Sequence, residues 1–252
     1  MNLLKKLIAV LAFLPALALA IDGEYPLDQA PERTKDLAAL QHGAKLFVNY
    51  CLNCHSASLM RYNRLRDIGL SEDQIKANLL FTTDKVGGLM TIAMAPKDAK
   101  EWFGVTPPDL SLIVRARASE AGSGRDWVYT YLRSYYLDDS RPTGWNNMMF
   151  PNVGMPHVFW ELQGAQNAVF SDVKDAEGKT EHKFDHFELV KPGKLSKVEY
   201  DSAVADLVGY LEWQSEPVRN LRHQLGVWVL LFLGVLVVLT WRLNASYWKE
   251  VK

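Results

Sequence analysis

Cys51-Leu52-Asn53-Cys54-His55 decides how this chain is read. It holds the only two cysteines among 252 residues, in the C-x-x-C-H spacing of a covalently attached haem. On one helical turn, thiols three residues apart project from the same face, so each can add to one vinyl group of a single porphyrin. The adjoining His55 is then held beneath the ring as a ligand for the iron. Two other uses of C-x-x-C compete with this one. A structural zinc site wants four ligands, usually with a second cysteine pair, which the composition denies. A thioredoxin-like dithiol sits between a strand and a helix and has no need of the histidine. The pentapeptide therefore implies one covalently bound haem c, and the rest of the chain should supply a sixth iron ligand and a pocket.

Toward the N-terminus, Leu37 to Tyr50 places Leu37, Leu40, Ala44, Leu46 and Phe47 at helical spacing and runs straight into the motif. Further out, residues 1–20 carry Lys5 and Lys6, then an apolar run ending Ala18-Leu19-Ala20, the form of a secretory signal with an A-x-A cleavage site. Pro15 and the shortness of the run argue against a retained span. Export suits thiols that end as thioethers. Loss of Lys5 and Lys6 takes the formal charge from −1 to −3, a mildly acidic balance that argues against a nucleic-acid partner.

Toward the C-terminus, helices are expected over Asp73 to Leu80, Asp126 to Tyr136 and Asp201 to Trp213. The last of these sets Val204, Leu207, Val208 and Leu211 on one face. Residues 168–190 alternate around an Ala-Glu-Gly-Lys turn and read as a β-hairpin. Its mixed charge fits a solvated hairpin better than a docking patch for a basic carrier. From Leu225 to Trp241 the chain is uncharged and as a helix would reach about 26 Å, the short edge of a membrane span. Trp228, Trp241, Tyr247 and Trp248 are placed to anchor it at the interfaces. The expected organisation is a signal at 1–20, an exported haem domain at 21–222, a transmembrane helix at 223–243 and a tail at 244–252. Orientation follows from the export signal, because the flanking charges nearly balance.

For the sixth iron position the candidates are Met60, Met90, Met94, Met148, Met149 and Met155, with His42, His157, His182 and His186. Met60 is too close to His55 to reach the opposite face of the ring. Met155 has the best local chemistry, since Pro156 favours an extended backbone there and Gly154 permits close approach to a flat ligand. Met94 and Met149 follow, and the residues alone leave the choice open. Pro107-Pro108-Asp109-Leu110 is a rigid, extended entry to a segment whose Arg115 and Arg117 would point to different faces of a helix; an arginine near haem suits the propionates, and at least one of the two reads as a solvated surface residue. The run from Trp145 to Pro151 is either an aromatic-rich loop over the ring edge or plain core.

Four stretches together carry a family resemblance: GAKLFVNYCLNCHSASLMRYNRL (43–65), PPDLSLIVRAR (107–117), NVGMPH (152–157) and DLVGYLEWQSEPVRNLRHQLG (206–226). In content and order they resemble the cytochrome c1 family, the haem subunits of cytochrome bc1 complexes, in its proteobacterial form. The resemblance implies a mostly α-helical, class I cytochrome c-like domain with insertions, including the hairpin, and one C-terminal transmembrane helix. It implies thioethers at Cys51 and Cys54, and axial ligation of the iron by His55 and Met155. Pro108 is implied to pack on the haem and Arg117 to pair with a propionate, while Trp127 stands where relatives carry a tyrosine beside the haem. The implied role is electron transfer from the Rieske iron–sulfur protein to a soluble or tethered cytochrome c, beside cytochrome b in a dimeric complex of the bacterial inner membrane, with the haem domain in the periplasm. Residues 96–107 are shorter than in mitochondrial relatives. Two rivals remain from the residues: another anchored single-haem cytochrome, and a haem-c sensor with an open sixth position.

Overall fold

The computed structural model describes residues 25–174 and 180–249. The signal read at 1–20, the Ala176 to Lys179 turn and the last three residues lie outside the described residues. The frame is set by two helices far apart in sequence. Helix α1 (Leu37–Leu46) starts where the Asp36 carboxylate accepts the Ala39 N–H at 3.1 Å, a side-chain cap on an otherwise orphaned donor. It widens into a single π-helical turn over Phe47–Cys51, so the helix delivers the first cysteine directly. Two short strands, β1 (Ala57–Arg61) and β2 (Leu89–Met90), flank α2 (Glu72–Asn78), and α3 (Pro96–Phe103) and α4 (Ile113–Ala116) follow.

Helix α5 (Gly124–Arg133) stops short of the expected Tyr136. The chain turns extended at β3 (Tyr135–Leu137), which pairs antiparallel with β4 (Trp145–Asn147); adjacent tyrosines suit a strand better than a helix end. The buried Tyr200 hydroxyl donates to the Leu132 carbonyl at 2.7 Å, satisfying one of the acceptors that a helix C-terminus leaves unpaired. After the short α6 (Trp160–Gln163), strands β5 (Gly164–Lys174) and β6 (Thr180–Pro192) form a hairpin longer than the expected 168–190. Gln166 ties its base to the Tyr135 carbonyl at 2.7 Å.

Helix α7 (Lys197–Ser215) begins four residues before the expected Asp201, because Ser196 and Glu199 form a reciprocal capping box. It is the central element: α1 packs along it, with the Phe47 and Tyr210 rings 5.5 Å apart. Gly43 makes this possible, since a Cβ there would lie 2.2 Å from the Asp206 carbonyl oxygen. After a three-residue connector, α8 (Arg219–Tyr247) runs for 29 residues with none buried, a length of about 44 Å. It is the one helix among the described residues long and apolar enough to cross a membrane. It outruns the uncharged stretch because its polar flanks, from Arg219 to Gln224 and from Arg242 to Tyr247, stay helical. Arg219 pairs with Glu212 and Arg222 with Glu216, joining the long helix to the end of α7.

Candidate haem site

The turn after α1 is closed by the Cys54 and His55 N–H groups, which both donate to the Cys51 carbonyl, at 3.1 and 2.9 Å. Cys51 is buried and Cys54 half-buried, and both are free of disulfide. Burial, with a smaller contribution from Cys54, pushes the Cys51 thiol up to about 12. A redox-active dithiol needs the opposite shift in its attacking thiol, so this geometry does not suit thioredoxin-like exchange.

His55 is 9% exposed, and its Nδ1 lies 2.7 Å from the Pro108 carbonyl. A carbonyl only accepts, so Nδ1 carries the proton and Nε2 keeps its lone pair, the form a metal requires. Burial lowers the His55 pKa, against smaller opposing effects of the Pro108 bond and of Asp109, and keeps the ring neutral. The Pro107–Ser111 strap is fixed against the residues after the motif. Asp109 accepts the N–H groups of Ser58 and Ser111, each at 2.8 Å. Ser111 Oγ takes the Leu59 N–H at 3.0 Å, and the Leu110 N–H reaches the Ser56 carbonyl at 2.8 Å. From α7, Gln214 donates to the Leu110 carbonyl at 2.8 Å.

A second part of the cavity lining comes from a loop organised by two buried asparagines. Asn147 Oδ1 accepts from Met149 N–H at 2.9 Å and Phe150 N–H at 3.1 Å, while its amide donates to the Tyr131 carbonyl at 2.8 Å. Asn146 Oδ1 takes the N–H groups of Asn147 and Asn152, at 2.9 and 2.8 Å. Asn152 holds a left-handed φ of 62°, which an asparagine tolerates better than most side chains. The chain thereby turns to present Met155. A Cβ on Gly154 would come 3.1 Å from Val105, so glycine lets this loop approach the segment after α3.

These parts line a cavity of about 360 Å³, within the ~300–1,000 Å³ span of small-molecule sites. Cys51, Cys54, His55, Pro108, Arg117, Trp127 and Met155 all line it, so every site residue expected from the sequence meets in one place. Met60, Met90, Met94, Met148 and Met149 do not reach it. Of the histidines, His42 pairs with Asp206, His157 stacks on Tyr135 and His186 sits on the exposed hairpin; the His182 side chain lies outside the described residues. The remaining lining is apolar, including Leu110, Ile113, Val128, Val158, Leu207 and Leu211. The Arg117 guanidinium rests 4.3 Å over Trp127 and 5.9 Å from the Phe150 ring. Arg117 makes no ion pair among the described residues, whereas Arg115 stays outside the cavity lining.

This donor set fits a haem c: paired thiols, a neutral imidazole and a thioether in one lining, apolar faces, and a cation with no carboxylate partner among the described residues. The fold and site define a single-haem c-type cytochrome domain joined to one long apolar helix. The chain belongs to the cytochrome c1 family, whose model matches residues 28–87 and 92–251. It is 48% identical to cytochrome c1 of Allochromatium vinosum, over 94% of each chain. It is 45% identical to a protein of Nitrosomonas europaea named ammonia monooxygenase gamma subunit, over 100% of both. Cytochrome c1 of Rhodospirillum rubrum is 28% identical over 86% of this chain and 83% of that one.

The sequence reading did not pick out Asn146 and Asn147, which hold the Met155 loop, or Tyr131 and Tyr135, whose hydroxyls reach Met155. The asparagine pair stood inside a run read for its aromatic residues, and two tyrosines at helical spacing look like ordinary core.

Proposed function

We propose that this chain is the electron-carrying subunit of a membrane quinol:cytochrome c oxidoreductase of the cytochrome bc1 type. The observation that carries the reading is the meeting of His55 and Met155 on the wall of one apolar cavity edged by Cys51 and Cys54. In this reading Cys51 and Cys54 form the thioethers and His55 and Met155 ligate the iron. When bound, the haem supplies a one-electron ferric/ferrous couple. Pro108 fixes the imidazole by its carbonyl, and Met155 contributes a thioether, which favours the ferrous state. Arg117, braced on Trp127, pairs with a propionate as a fork that matches a carboxylate. The apolar lining keeps water off and raises the potential. No general acid, base or nucleophile is required; the protein supplies position, potential and an approachable edge.

The electron arrives from a Rieske iron–sulfur protein and leaves to a soluble or tethered cytochrome c. Helix α8 docks beside cytochrome b in a dimeric complex, with residues 21–222 on the periplasmic side of the bacterial inner membrane after removal of the signal at 1–20, 223–243 in the bilayer and 244–252 as a cytoplasmic tail. Its length and its complete lack of buried residues support the anchor. The full-length similarity to the Nitrosomonas protein favours one second reading, an electron-transfer subunit of an ammonia-oxidising assembly. One experiment separates them: capture the chain from membranes in mild detergent and record reduced-minus-oxidised spectra. The bc1 reading predicts b-type bands beside the c-type band and reduction of the c-type haem by quinol. A lone c-type haem that quinol leaves oxidised in the captured assembly would overturn it.

A further inference from the structure

Arg141 stands in the turn between β3 and β4, which is closed by the Asp138 N–H on the Gly144 carbonyl at 3.1 Å and the Gly144 N–H on the Arg141 carbonyl at 2.9 Å. Its guanidinium reaches across to Asn152, where Nη1 donates to Oδ1 at 3.0 Å and Nη2 to the carbonyl at 3.1 Å. The Asn152 N–H goes to Asn146 Oδ1 at 2.8 Å, the Asn146 amide donates to the Asp138 carboxylate at 2.8 Å, and the Arg141 N–H returns to the Asp138 carbonyl at 3.0 Å. Asp138, Asn146, Asn152 and Arg141 thus form a closed ring of hydrogen bonds. Both backbone polar groups of Asn152 and its side-chain oxygen are taken up by this ring. Asn152 is also where the backbone holds its left-handed φ of 62°. A residue other than glycine stays there only where its surroundings over-determine it. The next residue, Val153, is buried and lines the cavity together with Met155, so a relaxed Asn152 would redirect the chain that leads to the thioether.

We propose that Arg141 is a positioning residue for Met155, a two-pronged latch whose hold on Asn152 keeps the loop shut and so keeps small exogenous ligands off the sixth iron position. This rests on Met155 being the iron ligand. A soft thioether is a weak match for ferric iron, so the closed state depends on the chain that carries the sulfur. Opening is a local event that lifts residues 152–155 without unfolding the domain, and the latch sets how often it happens. The planar fork of an arginine satisfies both Asn152 acceptors at once. A lysine brings the same charge as a point on a flexible stem and loses that match.

The test is the rate at which cyanide replaces methionine on the ferric haem of the detergent-solubilised full chain, followed as loss of the long-wavelength charge-transfer band of methionine-ligated ferric haem. The exchange breaks the iron–sulfur bond and forms an iron–carbon bond; hydrogen cyanide gives its proton to solvent and the iron keeps its oxidation state. Arg141→Met should keep the band before cyanide is added and raise the rate about tenfold, equal to about 1.4 kcal/mol of opening free energy. Arg141→Lys, which keeps the charge and loses the fork, should raise it about threefold. Tyr200→Phe, which strands the Leu132 carbonyl outside the ring, lowers global stability and should leave the rate unchanged. An unchanged rate in either arginine variant overturns the proposal, and so does a rise in Tyr200→Phe equal to that in Arg141→Met, which would bring cyanide in through global unfolding. Should Arg141→Met not fold, Arg141→Lys decides by the same criterion. A wild type that lacks the methionine band overturns the ligand reading, and the latch with it.

Discussion

Gly43→Ala sets two effects of opposite sign against each other. Alanine in place of glycine inside a helix gains about 1 kcal/mol of intrinsic propensity. Against that, the new Cβ would lie 2.2 Å from the Asp206 carbonyl oxygen and 2.7 Å from Tyr210 Cβ, where ordinary contact starts at 3.4 Å. Helices α1 and α7 must therefore part by about 1.2 Å, and the atom in the way is backbone, which no rotamer change can move. Leu40, Ala44, Phe47, Leu207 and Tyr210, all at most 1% exposed, lie in the core this contact closes. A gap of ~0.5–1 Å already forfeits a quarter to a half of each dispersion contact. Overpacking of this kind costs about 3 kcal/mol, the upper part of the usual range, so a net loss of about 2 kcal/mol remains after the propensity gain. For a domain of this size that lowers Tm by about 4–8 °C. Far-UV circular dichroism melts of the detergent-solubilised chain read the shift. A Tm equal to or above wild type would refute the close packing of α1 on α7.

Three further outcomes follow from the same structure. Tyr200→Phe strands the Leu132 carbonyl without its 2.7 Å donor and should cost about 1–3 kcal/mol, read as a lower urea midpoint with covalent haem retained. Burial pulls the His157 pKa down to about 4, while an unfolded imidazole titrates near ~6.5. The unfolded chain takes up this proton first, so the contribution is full above the unfolded pKa and is lost as pH falls toward the folded one. It amounts to about 3 kcal/mol across that window. Urea unfolding at about pH 7 and about pH 5 should show the decline, and His157→Phe, which keeps a ring stacked on Tyr135, should flatten it. Asp109→Asn keeps one acceptor of the pair that holds Ser58 and Ser111 but turns the other into a donor facing an N–H, so the urea midpoint should fall by about 1–3 kcal/mol of stability, with covalent haem retained.

What the sequence revealed was local and chemical. The C-x-x-C-H motif stood out because its residues are contiguous, and α8 because its apolar run is nearly unbroken. The capping box Ser196-Lys197-Val198-Glu199 was legible too, yet α7 was read from its apolar face alone and so began late. Met155 could only be ranked above Met94 and Met149, because bringing residue 155 to the wall of a cavity begun at residue 51 depends on long-range closure. Asn146, Asn147 and the left-handed Asn152 perform that closure, and no periodicity marks them. The Pro108 carbonyl that fixes the His55 tautomer is a backbone atom, which side-chain patterning cannot signal.

The central claim is that Met155 completes the iron coordination begun by His55. Its most direct test is the optical spectrum and redox titration of Met155→Ala in the full chain. The account predicts that the c-type haem stays covalently bound, the methionine charge-transfer band disappears and the midpoint potential drops. An unchanged band and midpoint would contradict it and would place the sixth ligand elsewhere.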